Sequence, residues 1–137
     1  MCVKVFLADD AAVMRKAIRS LLSNRQDISV VGEASTFLET IQKTTELHPD
    51  LIILDLNMPD RSRIAPSEAK RLLNGAKVLA ITLGTENLDE LLDSVGAVRL
   101  LDKAELANEL IPAILELAPA HINSGQFSIN TEQFDCS

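Results

Sequence analysis

Apolar runs of strand length alternate along this chain with stretches whose apolar positions recur every three or four residues. Val3, Val5, Phe6, Leu7 and Ala8 form the first run, and Val13, Met14, Ala17, Ile18, Leu21 and Leu22 follow at the spacing of one helix face. Residues 28–31 read as a second strand closed by Gly32. Phe37, Leu38 and Ile41 mark a second helix, capped by Ser35 or Thr36 with Glu39 following, and ended at His48-Pro49. Residues 51–54 are a third strand, apolar on both faces, and residues 78–83 are a fourth. Between them a loop over residues 57–65 leads to a short third helix, begun near Pro66 and ended by Gly75. Leu88, Leu91, Leu92 and Val95 mark a fourth helix stopped at Gly96. Residues 97–101 give a fifth strand, with Arg99 its least typical member. Leu106, Leu110, Ile114, Leu117 and Ala118 mark a fifth helix ended by Pro119. Pro112 within it implies either a late start near Asn108 or a bend.

Five strand–helix units in succession imply an α/β fold with a parallel sheet covered on both sides. Right-handed crossovers leave few arrangements, of which the doubly wound order 2-1-3-4-5 is the expected one. In such a sheet the working site lies beyond the carboxyl ends of the strands. Residues 1–119 form one domain, and residues 120–137 a polar C-terminal tail or linker stub. That tail carries Phe127 and Phe134, and residues 126–130 alternate like a short strand, so it is either loose or docked.

Composition narrows the function. At 137 residues the chain is one domain's worth. It holds no Trp or Tyr, so the core must be aliphatic. A net charge of −7 excludes non-specific attraction to nucleic acid or anionic membrane and suits a protein that gathers carboxylates around a cation. The apolar start is too short, and too soon followed by Asp9 and Asp10, for a signal peptide or a membrane span. Cys2 and Cys136, far apart, read as two free thiols in a reducing compartment. A soluble, cytoplasmic protein is expected.

The polar residues that end the strands carry the chemistry. Asp9-Asp10 follow the first strand, Asp55 the third, Thr82 ends the fourth, and Lys103 follows the fifth. Separately, an Asp-Asp pair is ordinarily a turn or helix cap, and a Thr at a strand end is ordinarily β propensity. Together, the order 2-1-3-4-5 brings them to one rim. Two carboxylates ~4 Å apart repel by about 4 kcal/mol at an effective dielectric of ~20. A divalent cation removes that cost, and all-oxygen ligands suit Mg2+. A metal beside a carboxylate, a lysine and a hydroxyl suits phosphoryl transfer to an aspartate nucleophile.

The chain resembles the receiver domains of two-component response regulators over residues 3–118. Asp9-Asp10 with Arg15 resembles the family's acidic pair and following arginine. Asp55-Leu56-Asn57-Met58-Pro59 resembles the phosphoacceptor motif, Ala80-Ile81-Thr82 the strand ending in the switch threonine, and Gly96-Ala97 with Lys103 the Gly-Ala…Lys signature. Val30-Val31-Gly32-Glu33-Ala34 and Lys103-Ala104-Glu105-Leu106 are similar to receivers that precede helix-turn-helix output domains. The resemblance implies a flavodoxin-like (βα)5 fold and a phosphorylation-dependent switch of a two-component phosphorelay. Asp55 would take a phosphoryl group from a sensor histidine kinase or phosphotransfer protein. Asp10 and Asp55 would bind Mg2+, with Asp9 direct or through water and Asn57 by its backbone carbonyl. Thr82 and Lys103 would hold the phosphoryl oxygens. Such a domain promotes only its own phosphorylation and dephosphorylation, and pairs as a homodimer through the fourth helix, fifth strand and fifth helix.

Four positions depart from the family pattern. Leu100 stands where an aromatic is usual, Leu83 where a small residue is usual, and Ala104 where a proline often follows the lysine. The loop over residues 60–65 lacks the usual glycine and carries Arg61 and Arg63. Leu83 would narrow access to Asp55, and Leu100 would weaken the coupling to the threonine. These favour a rival, a receiver-like interaction module with impaired switching. A phosphatase with an aspartyl nucleophile is disfavoured, because Asn57 stands where that class needs a second acid. Residues 120–137 are too few for a helix-turn-helix domain, so the chain is expected either to act through partners or to be part of a longer regulator.

Overall fold

A computed structural model of the chain describes residues 2–60, 76–83 and 97–118. The helices expected over residues 66–75 and 88–95, Arg61 and Arg63, and the tail from residue 119 onward lie outside the described residues.

The elements are β1 (Val3–Ala8), α1 (Ala12–Leu22), β2 (Ile28–Ala34), α2 (Phe37–Leu47), β3 (Leu51–Asp55), β4 (Lys77–Thr82), β5 (Ala97–Asp102) and α3 (Leu106–Leu117). The strands form one sheet in the order β2-β1-β3-β4-β5, every pair parallel, as the alternation implied. Apolarity on both faces has its expected cause. In β3, Leu51 and Ile53 pack on one side with Ile18 and Leu22 of α1 and Leu110 and Ile114 of α3. Ile52 and Leu54 pack on the other side with Phe37 and Ile41 of α2. The period of two along a strand divides its apolar run between the layers.

Two boundaries differ from expectation. β2 does not close at Gly32 but runs on to Ala34, with a register shift opposite Val5 and Phe6. Gly32 is there because a Cβ would stand 2.8 Å from Leu47 Cδ1 and 2.9 Å from Phe6 Cε2. It serves close packing, not termination. The last helix starts at Leu106, after a 3-10 turn over Lys103–Glu105, and keeps Pro112 inside it. The ring removes the N–H that would meet the Asn108 carbonyl. Burial of Leu106, Leu110, Ala113 and Ile114 against the sheet holds the helix across that gap.

α2 illustrates how local chemistry sets an element. Thr36 is its cap and accepts from Glu39 N at 3.0 Å, while Glu39 Oε1 accepts from Ser35 N at 2.9 Å. At its far end His48, before Pro49, adopts the left-handed region at φ 48°, and its N–H reaches the Thr44 carbonyl. Cys2 corrects the expectation of free thiols: it is disulfide-bonded. Among the described residues no helix is long and apolar enough to cross a membrane.

Candidate phosphoacceptor site

Parallel strands bring their carboxyl ends to one edge, and there the chain places its buried polar groups. Asp55 is the last residue of β3 and Thr82 the last of β4. Asp9 follows β1, and Lys103 follows β5. Asp9, Asp55 and Thr82 are buried, at 1%, 0% and 3% exposure, in a molecule whose interior is otherwise largely aliphatic. Polar groups are sequestered in this way only at a cost, so their gathering marks the rim as a site.

Lys103 binds the two acids together. Its Nζ lies 2.9 Å from Asp9 Oδ2 and 3.4 Å from Asp55 Oδ1, and its side chain is only 6% exposed. Asp10 stays exposed, yet a carboxylate oxygen from each of Asp9, Asp10 and Asp55 lies within 4.8 Å of the others. One amide anchors each buried acid: Ala11 N donates to Asp9 Oδ1 at 2.8 Å, and Asn57 N donates to Asp55 Oδ1 at 2.9 Å. The outer oxygens are less well served. Asp55 Oδ2 is buried without a hydrogen bond, and Asp9 Oδ2 meets Lys103 by proximity of charge rather than at hydrogen-bonding angles. One ammonium facing two carboxylates leaves negative charge uncompensated. A hard cation with oxygen ligands fits both the uncompensated charge and the buried oxygen.

The electrostatics follow from that shortage. Burial pushes the Asp55 carboxyl up to about 6, and the Asp9 charge pushes the same way, against the Asn57 N–H and the Lys103 ammonium. For Lys103 burial works against the charged form, but the neighbouring Asp9 and Asp55 carboxylates outweigh it, so its pKa is raised. Lys103 is therefore a fixed cation at neutral pH.

Three further contacts organise the rim, and linear patterns gave little sign of them. Asn57, expected to offer a backbone carbonyl, also uses its side chain: Oδ1 accepts from Thr82 Oγ1 at 3.3 Å and from Leu83 N at 3.2 Å. Arg15 donates from Nη1 to the Asp9 carbonyl at 2.6 Å and from Nε to Glu33 Oε1 at 3.0 Å, which ties the Asp9 loop to β2. Glu33 also pairs with Arg19, and the two arginines hold its pKa down against partial burial. Asp60 accepts from Phe37 N and Leu38 N at 2.7 and 3.0 Å, so the loop after Asp55 covers the start of α2. Arg15 was visible in the acidic-pair pattern, but its partner Glu33 lies 18 residues away and Asp60's partners 22 and 23 away.

The departures resolve differently. Leu83 is 71% exposed, so most of its side chain faces solvent at the rim. Leu100 is part-buried and packs with the α2-side core. It fills space there with no hydroxyl to offer.

Known proteins resemble this chain in sequence and fold. Residues 5–115 match the family model described as the response regulator receiver domain. The chain is 36% identical over 120 residues to protein-glutamate methylesterase/protein-glutamine glutaminase 1 of Methanosarcina acetivorans, covering 84% of this chain and 34% of that protein. It is 43% identical over 83 residues to response regulator protein VraR of Staphylococcus aureus, covering 60% of this chain and 40% of that protein. The crystal structure of the response regulator domain of Thermotoga maritima CheB superposes with a TM-score of 0.72 at 28% identity, covering 85% of this chain and 96% of that one. The chain thus spans about a third of the length of the methylesterase and two fifths of VraR.

Proposed function

Because the chain belongs to the response regulator receiver domains, we propose that it is a phosphorylation-dependent switch in which Asp55 accepts the phosphoryl group. The observation that carries this reading is a buried carboxylate at a strand end, bracketed by the Lys103 ammonium and a second carboxylate, Asp9. An oxygen of the ionised Asp55 carboxylate attacks phosphorus. The new O–P bond forms as the P–N bond of a phosphohistidine breaks, and the departing imidazole takes its proton from solvent. Lys103 stabilises the charge on the equatorial oxygens, and the Thr82 hydroxyl donates to one of them in the product. Asp9, Asp10 and Asp55, with the Asn57 backbone carbonyl, would hold Mg2+, which supplies charge neutralisation at those oxygens when bound.

The donor would be a sensor histidine kinase or a phosphotransfer protein, and the setting cytoplasmic. The added group carries about −1.5 to −2 charge and three acceptor oxygens. That change can draw Thr82 inward and shift a two-state equilibrium at the face formed by β5 and α3. A homodimer would form through that face together with the helix expected over residues 88–95, which lies outside the described residues. Incubation with acetyl phosphate and Mg2+, followed by intact-mass measurement, tests the reading. One phosphoryl group is expected on the unaltered chain and none on Asp55→Asn; equal gains on both would overturn it.

Leu100 supports a second reading, a receiver that accepts phosphate but transmits little. It lacks the hydroxyl and ring of an aromatic and, part-buried, packs against the α2-side core. Phosphorylation that leaves the size and the amide spectrum of β5 and α3 unchanged would favour that reading.

A further inference from the structure

Asn57 makes three hydrogen bonds, one through its backbone and two through its side chain. Its backbone N–H holds Asp55 Oδ1 at 2.9 Å, and its side-chain Oδ1 receives Thr82 Oγ1 at 3.3 Å and Leu83 N at 3.2 Å. The same residue therefore touches the acceptor carboxylate and the hydroxyl that the phosphoryl group would claim. Thr82 is 3% exposed, whereas Asn57 is exposed, so the amide can swing to solvent at little cost. A hydroxyl has one proton and donates it to one acceptor at a time. While that proton points at Asn57 it cannot serve a phosphoryl oxygen. The Leu83 N–H adds a backbone tether, so the whole end of β4 is held, not merely a rotamer.

We propose that the Asn57 side chain is a positioning residue that holds the Thr82–Leu83 end of β4 in the resting arrangement and competes with the phosphoryl group for the Thr82 hydroxyl. The inference rests on Asp55 being the phosphoacceptor. Each phosphorylation must break the Asn57 contact before Thr82 can engage. The strength of that contact then sets part of the affinity of the site for a phosphoryl group, and how readily the switch is thrown.

Beryllofluoride with Mg2+ serves as the phosphoryl mimic. Its binding is read by calorimetry, since the chain has no Trp or Tyr to report it. Asn57→Ala removes the side-chain acceptor and keeps both backbone groups. It is expected to tighten beryllofluoride binding roughly two- to tenfold, the range that one neutral hydrogen bond spans. Asn57→Ser, with a shorter acceptor, gives a smaller change in the same direction. In a Thr82→Val background the gain from Asn57→Ala shrinks by more than half, because only the Leu83 tether remains to be released. A loss of stability alone would not depend on the Thr82 hydroxyl. An equal gain in both backgrounds, or unchanged or weaker binding by Asn57→Ala, overturns the proposal while leaving Asp55 as acceptor. Absence of binding to the unaltered chain together with absence of its phosphorylation overturns both.

Discussion

Burial of Asp55 makes the resting protein sensitive to pH in a defined direction. Its carboxyl ordinarily titrates near 3.8 and in the folded chain near 6. The fold therefore favours the protonated acid, and this contribution is fully present below the ordinary value and lost as pH rises through about 6. The difference amounts to on the order of 3 kcal/mol. Without metal, denaturant melts should show stability falling between about pH 4 and pH 6.5. Asp55→Asn should flatten that fall and leave the variant the more stable protein at pH 7.5. An unchanged slope in the variant would show that Asp55 is not the source. Lys103 is the complementary case. Replacing it by Met leaves Asp9 and Asp55 facing each other in a buried site, and stability at neutral pH should drop by about 2 to 4 kcal/mol. Saturating Mg2+ should restore most of that loss, as differential scanning calorimetry with and without the ion would show. The strand-end acids, Thr82 and Lys103 were all legible because each follows or ends an apolar run. Asn57's side-chain contacts and Asp60's cap were not, because they depend on how a loop turns back in space.

At the level of elements, local signals placed most of what is described. Thr36 with Glu39, His48 before Pro49, and the apolar spacing of α1 all mark boundaries that neighbouring residues decide. The errors arose where tertiary packing decides. Gly32 looks like a terminator, yet it lies within β2 because Phe6 and Leu47 approach so closely. Gly32→Ala should destabilise the chain by about 1 to 3 kcal/mol through overpacking. Chemical denaturation checks this, and Leu47→Ala, which removes one obstructing side chain, should reduce the penalty in the double variant. Pro112 argued for a late start or a bend, but the helix starts at Leu106, held by buried Leu106 and Leu110 before the proline and Ala113 and Ile114 after it. Thr36→Ala should cost about 1 kcal/mol, the usual loss of an N-cap. The expected slowing of amide exchange in α2 by Thr36 would then be lost from its first turn alone.

The whole molecule joins these scales. A sheet with apolar residues on both faces leaves only its edges for polar chemistry, and the parallel order brings five strand ends to one of them. The acids that make the site costly in the resting state are the ones expected to bind the metal and take the phosphoryl group. Function thus draws on a local instability that the two apolar layers on either side of the sheet support. The direct test is to find where the phosphoryl group sits. After incubation with acetyl phosphate and Mg2+, acyl phosphates can be trapped by borohydride reduction and located by peptide fragmentation. The reduced residue should be Asp55, and labelling should depend on Mg2+. Label on Asp9 or Asp10, or no label on any aspartate, would contradict the account.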